Sequence, residues 1–213
     1  MQTLPPFTRK LLLVAHVATS VGWLGAVCAY LGLAVAGRLT TDAEFAATAY
    51  QLVRFMAWYV VVPFALASVV VGLVQSLGTK WGLIGHYWVL AKFALSTVGT
   101  LILLQHLDAV DLMARLAAAS ALAQADQLQL RTSLVIHPAG GVLLLLTATV
   151  LSVYKPWGAT PFAERAASTA PPAAITQSPV VAGARSRWGM IIGAHAVVVA
   201  LLALAAHAAG LRH

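Results

Sequence analysis

Charged residues are scarce in this chain, at 9% of 213 against 61% hydrophobic. A soluble domain carries about a quarter charged residues, and the mean hydropathy here is +0.87. A water-facing globule is thereby excluded. Acids are the rarer sign, 6 Asp+Glu against 13 Lys+Arg for a net charge of +7. The basic residues lie between apolar runs rather than along one face, so no nucleic-acid-binding surface is expected and the excess reads as topology information. Cysteine is nearly absent. With Cys28 alone, no intrachain disulfide and no cysteine metal cluster can form, and Cys28 reads as a small packing residue.

Long apolar runs are what the chain has instead. Windows of about 20 residues, enough to cross about 30 Å of hydrocarbon, fall at 11–35, 55–77, 84–106, 134–154 and 189–210. They lack barrel-type alternation, and lipid leaves exposed backbone groups no partner, so five helices are predicted. The run after Arg9-Lys10 is too long for a signal-peptide core, and Val27 before Cys28 does not suit a lipoprotein cleavage box; the first span is expected to stay as a mature helix. Thr41-Asp42-Ala43-Glu44 has a capping-box pattern that starts the second helix outside the membrane. Pro63 and Gly72 then predict a bend.

Between spans three and four, residues 108–131 are alanine-rich with mixed charge and read as an extramembrane helix or helical hairpin. After span four the composition turns to Pro, Ala, Ser and Thr, which cannot pack a core. The fold class expected is all-α and polytopic: a four-helix transmembrane bundle over 1–157, a flexible linker over 158–187, and a tethered fifth helix over 188–213. With the N-terminus cytoplasmic, seven Lys and Arg lie inside and five outside, leaving Lys92 within a span. This favours a cell-membrane protein with its N-terminus cytoplasmic and its C-terminus outside.

Placing polar residues along these helices produces two layers. His16, Lys92 and His195 lie roughly 9 to 12 Å in from the inner side, at 1.5 Å of rise per residue. His106, His137 and His207 form a shallower outer layer. On span three, Lys92, Ser96, Gly99 and His106 fall near one stripe; on span one, His16, Thr19, Ser20 and Trp23 do, with Gly22 and Gly25 allowing close approach. In span four His137 is followed by Pro138, Gly140 and Gly141. A lysine at the centre of an inserting helix costs roughly 2.5 to 3.5 kcal/mol, so Lys92 calls for a partner, a cofactor or water.

Neutral imidazole is the commonest metal ligand and an axial ligand of haem, and helix bundles build such sites from facing helices. His16, His106, His137 and His195 are therefore the candidate ligands, with His16, His106 and His137 also the candidates for a bare metal, and Lys92 a partner for a propionate. Each has a plainer reading: histidines at helix ends sit at the headgroup level, Lys92 snorkels, and Trp81, Trp88, Trp157 and Trp188 are belt anchors. His213 is terminal and carries no site role.

The pattern of His16, six residues, Trp23-Leu24-Gly25, with Lys92 and His106 bracketing span three, resembles the HemJ-type protoporphyrinogen oxidases and the copper-resistance protein D family. The resemblance covers spans one to four, about two thirds of the chain. It implies a haem b protein in which His16 and Lys92 matter. Leu90 stands where the HemJ pattern has a second histidine, the first loop lacks its basic, histidine-containing end, and a fifth span is added, so the fold and haem binding carry over and the substrate does not. The leading expectation is a haem b-binding membrane redox protein, with His16 and Lys92 in an inner site joined by His195, and His106 with His137 as the alternative pair. A copper or small-cation transport protein is the second, and a non-catalytic partner of another membrane subunit, or of a second copy of the chain, the third.

Overall fold

A computed structural model describes residues 4–78, 83–119 and 127–168. The expected fifth span, with His195 and His207, lies outside the described residues. Within them the chain is helical: α1 Pro6–Leu39, α2 Ala43–Met56, a π-helical segment Ala57–Val61, α3 Val62–Leu77, α4 Tyr87–Ala118, α5 Gln127–Tyr154 and a short α6 Pro161–Ser168. Residues 43 to 77 run as one rod, so four helices are long and apolar enough to cross a membrane. The protein is an integral membrane protein by that measure.

Local sequence explains each boundary. Pro6 opens α1, where its missing N–H is one the helix does not use. Asp42, rather than Thr41 as the capping-box spacing suggested, caps α2: its Oδ1 accepts from the backbone N–H of Glu44 at 2.9 Å and of Phe45 at 3.2 Å. The carboxylate satisfies two of the four orphan amides at that end and meets the positive helix terminus. The bend expected at Pro63 is a π-helical turn just before it. Pro63 has no N–H to give the carbonyl of Tyr59 and its ring would crowd that oxygen, and a wider turn relieves both.

Packing is cyclic. The α2–α3 rod and α5 flank α1 on either side, and they flank α4 in the same way; no diagonal pair of helices comes into backbone contact among the described residues. Consecutive helices are thus neighbours, as short connections require. The end of α1, the start of α2, the end of α4 and the start of α5 define the far end, and the starts of α1 and α4 with the ends of α3 and α5 the opposite one. Burial is uneven along the bundle. Tyr50, Val53, Val61, Val110, Met113, Leu134 and Leu151 are sealed, mostly toward the far end, and α1 buries side chains only from Trp23 onward. Leu11, Leu13, Val14, Val17 and Val21 face outward, which in lipid carries no hydrophobic penalty.

In the 108–131 segment, expected as an extramembrane helix or helical hairpin, the described residues continue α4 to Ala118 and begin α5 at Gln127. Contacts with the bundle continue past 157. Thr160 is buried, its N–H donates to Gly85 O at 3.0 Å and its hydroxyl to Ile84 O at 2.7 Å, while Ala159 forms a bridge to His86. Those carbonyls lie in a turn with no helical donors, so Thr160 holds them, and Pro161 begins α6 inside the stretch expected to be linker.

Assigning the α2 cap to Asp42 has a direct check. Asp42→Ala should lower unfolding stability in detergent by about 1 kcal/mol, and Thr41→Ala by a few tenths at most. Equal losses, or a larger one at Thr41, would show that the cap is elsewhere.

Candidate functional site

At the N-terminal half of the bundle the predicted α1 stripe meets α3. Ser20 and Ser68 share a hydrogen bond of 2.9 Å between α1 and α3, and Thr19 turns its hydroxyl back to Ala15 O and His16 O. One turn away His16 lies flat on α3: a Cβ built on Gly72 would stand 2.9 Å from its Cε1 and 3.3 Å from its Nδ1. Any side chain larger than hydrogen would displace the ring. The Nδ1 atom is buried and makes no well-formed hydrogen bond, although the Ser68 backbone, one turn before Gly72, lies close to the ring. Leaving such a nitrogen dry costs about 1 to 3 kcal/mol, so it marks a place where something polar belongs. Gly22 serves as expected, under the Phe64 ring, whereas Gly25 contacts no other helix.

Lys92, on α4, is half-buried and near enough to His16 to act on it electrostatically. Its ammonium sits 5.8 Å from the centre of the Trp88 ring one turn earlier. Lys155 approaches the same ring at 5.7 Å, so two cations attend one indole, each within cation–π reach. Lys155 reaches this place through an uncommon backbone. Its φ is 44°, a left-handed conformation that costs a lysine about 1 kcal/mol, and its N–H donates to Leu151 O at 3.1 Å to close α5. Trp88 is therefore more than a belt anchor, and Lys155, read from sequence only as an interfacial lysine, belongs with Lys92.

The second layer brings α4 and α5 together. His106 and His137 stack with ring centres 4.0 Å apart and planes 17° from parallel. His106 is buried. The Nδ1 of His137 lies 2.7 Å from Ser133 O, and because a carbonyl only accepts, Nδ1 carries the proton and Nε2 the lone pair. Pro138 follows and gives Leu134 O no helical donor, which loosens α5 at this level. Gly99 on the same α4 stripe receives Leu144, and Gly141 receives Val27, so small residues let the helices close around the pair. Face-to-face imidazoles do not have the opposed, end-on arrangement of two axial ligands across one iron. Among the described residues no group of three His, Cys, Asp or Glu side chains converges on a metal-sized site.

Of the five expected site residues, the structure thus brings His16 near Lys92 and His106 against His137, and His195 lies outside the described residues. Ser68 and Gly72 were invisible to depth counting, because their role depends on which helix faces α1. Comparison with protein families, with characterised proteins and with solved structures finds no match for this chain.

The cradle under His16 is testable by size. Gly72→Ala should destabilise the protein by about 1 to 3 kcal/mol through overpacking. Gly32→Ala, at an α1 position with nothing within 4 Å of the added carbon, should be neutral or stabilising by about 0.5 to 1 kcal/mol. If Gly72→Ala unfolds no more easily than Gly32→Ala, the ring is not held against α3.

Proposed function

We propose that this integral membrane protein is a haem b-binding redox protein, in which His16 would hold the iron and Lys92 and Lys155 would pair the propionates. The observation that carries the reading is the His16 imidazole: a buried nitrogen with no well-formed hydrogen bond and only the Ser68 backbone close by, on a ring seated over a glycine, with a lysine charge nearby. The donor set suits the group, since haem iron takes neutral imidazole and propionates take cations. When bound, haem supplies a one-electron redox centre. The chain's own part is to fix the ligand and the charges. The Ser20–Ser68 bond sets the register of α1 on α3, Gly72 leaves room for the ring, and Trp88 holds both ammonium groups at one level. The resemblance to the HemJ-type oxidases agrees with this assignment of His16 and Lys92, and Leu90 in place of a second histidine leaves one ligand from these residues.

The His106–His137 stack favours a second reading, copper or small-cation transport. Its two imidazoles, His106 buried and His137 half-buried, stack at the α4–α5 contact. Imidazole suits copper and zinc, and a two-ligand site binds weakly enough to release its ion.

The two readings separate in one experiment on protein purified in mild detergent from haem-replete cells. The haem reading expects a Soret band, with sharp α and β bands on dithionite reduction, near one haem per chain. His16→Ala should remove most of it, Lys92→Ala and Lys155→Ala part of it, and His106→Ala none. A colourless protein that retains copper, lost in His106→Ala, would move the assignment to the second reading. Loss of haem that is equal in His16→Ala and His106→Ala would overturn the inner site.

We also propose that the protein lies in the cell membrane with its N-terminus cytoplasmic, on the excess of Lys and Arg toward that side. A reporter fused ahead of Pro6 should be active in the cytoplasm. Activity only on the opposite side would invert the orientation.

A further inference from the structure

At the far end of the bundle, Tyr50 of α2 is completely buried, and its hydroxyl has no hydrogen-bond partner. Its ring lies against α1 where Gly37 stands: a Cβ there would be 3.4 Å from the phenol Cζ. That glycine brings the hydroxyl end of Tyr50 to the turn of α1 that carries Arg38. The Arg38 Nε is also buried with no partner, although the residue as a whole is only half-buried. From α5, Arg131 places its guanidinium carbon 5.8 Å from the Tyr50 ring centre. The Arg54–Asp111 ion pair at the same end involves none of these three residues.

Tyr50 thus meets the turn of α1 that carries Arg38, with the Arg131 charge over its ring, and the Tyr50 hydroxyl and Arg38 Nε are two buried donors without an acceptor. A carbonyl or hydroxyl would answer one donor. An anion with several acceptor oxygens answers both and is drawn by the Arg131 charge, and guanidinium groups match phosphate in planar, two-bonded fashion. Position agrees with this chemistry. Arg38 stands three residues beyond the apolar window that ends at 35, and Tyr50 five residues before the one that opens at 55. At 1.5 Å of rise per residue this is the level of the polar headgroups. We propose that Arg38, Tyr50 and Arg131 form a binding site for a phosphate group, of an anionic lipid headgroup or of free phosphate. Arg38, partly accessible, meets the phosphate first, and the Tyr50 hydroxyl donates to it from within.

The test uses the full chain in neutral detergent, with thermal unfolding followed by tryptophan emission. Probes are dioleoyl-phosphatidylglycerol, dioleoyl-phosphatidylcholine and inorganic phosphate, each titrated separately. Phosphatidylglycerol should raise the unfolding midpoint and phosphatidylcholine should not. Arg38→Gln and Tyr50→Phe should each weaken the apparent affinity about tenfold, the loss of one charge-assisted bond. Arg54→Gln should bind like the parent. A shift with phosphatidylglycerol alone assigns the phosphate to lipid; a shift with inorganic phosphate that competes with the lipid assigns it to the free ion. If Tyr50→Phe does not fold, Arg38→Gln decides. No shift with either anion overturns the site, as does unchanged binding in Arg38→Gln. An equal loss in Arg54→Gln overturns it too, because diffuse positive charge would then suffice. Haem content plays no part in the readout, so this site stands or falls apart from the His16 assignment.

Discussion

A peptide group in hydrocarbon finds no hydrogen-bond partner except another peptide group of its own chain, and the architecture follows from that. It forces the long apolar windows into helices, and it makes each departure from helical bonding a local event with a local remedy. The π turn ahead of Pro63 and the carbonyls of Ile84 and Gly85 held by Thr160 are two such remedies. Each uses the nearest available donor or a change of helical pitch.

The same medium governs the side chains. Apolar residues gain little by facing another helix rather than lipid, so α1 leaves Leu11, Val14 and Val21 outward without cost. Polar residues behave oppositely. Ser20 finds Ser68, the two lysines share Trp88, and His106 stacks on His137. Small residues set where these encounters happen: Gly72 seats His16, Gly37 seats Tyr50, and Gly99 with Gly141 closes the helices around the imidazole pair. The bundle is thereby divided into a far half packed like a protein core and an N-terminal half whose contacts are largely polar or made through glycine.

That division gives the proposed sites their separate characters. The His16 site combines one ligating atom with nearby cations, suited to a flat, partly anionic cofactor. The far-end site combines the Tyr50 hydroxyl with arginine charge, suited to a phosphate. They lie at opposite ends of the same four helices, so the rigidity of the far half supports the orientation of the N-terminal half without a shared residue. Strain is placed accordingly. Lys155 adopts its left-handed backbone where the second lysine must turn toward Trp88, and not in the tightly packed far half.

The sequence by itself determined the medium, the number of spans among the described residues and the stripe on which each polar residue lies. Hydropathy and a 3.6-residue period are properties of one helix, and they placed His16 with Ser20, and Lys92 with His106. The start of α2 came within one residue, because Thr41 and Asp42 are both good caps and only backbone geometry separates them. Which stripe faces which helix was decided by tertiary structure. Depth alone could align His106 with His137, but their stacking depends on the rotation of α4 against α5. The company of Lys155 with Lys92, and of Tyr50 with Arg38 and Arg131, depends on three helices closing into a ring. A helix's own residues fix its faces, while the rotation of each face toward its neighbours is set by small residues and side-chain volumes on all the others.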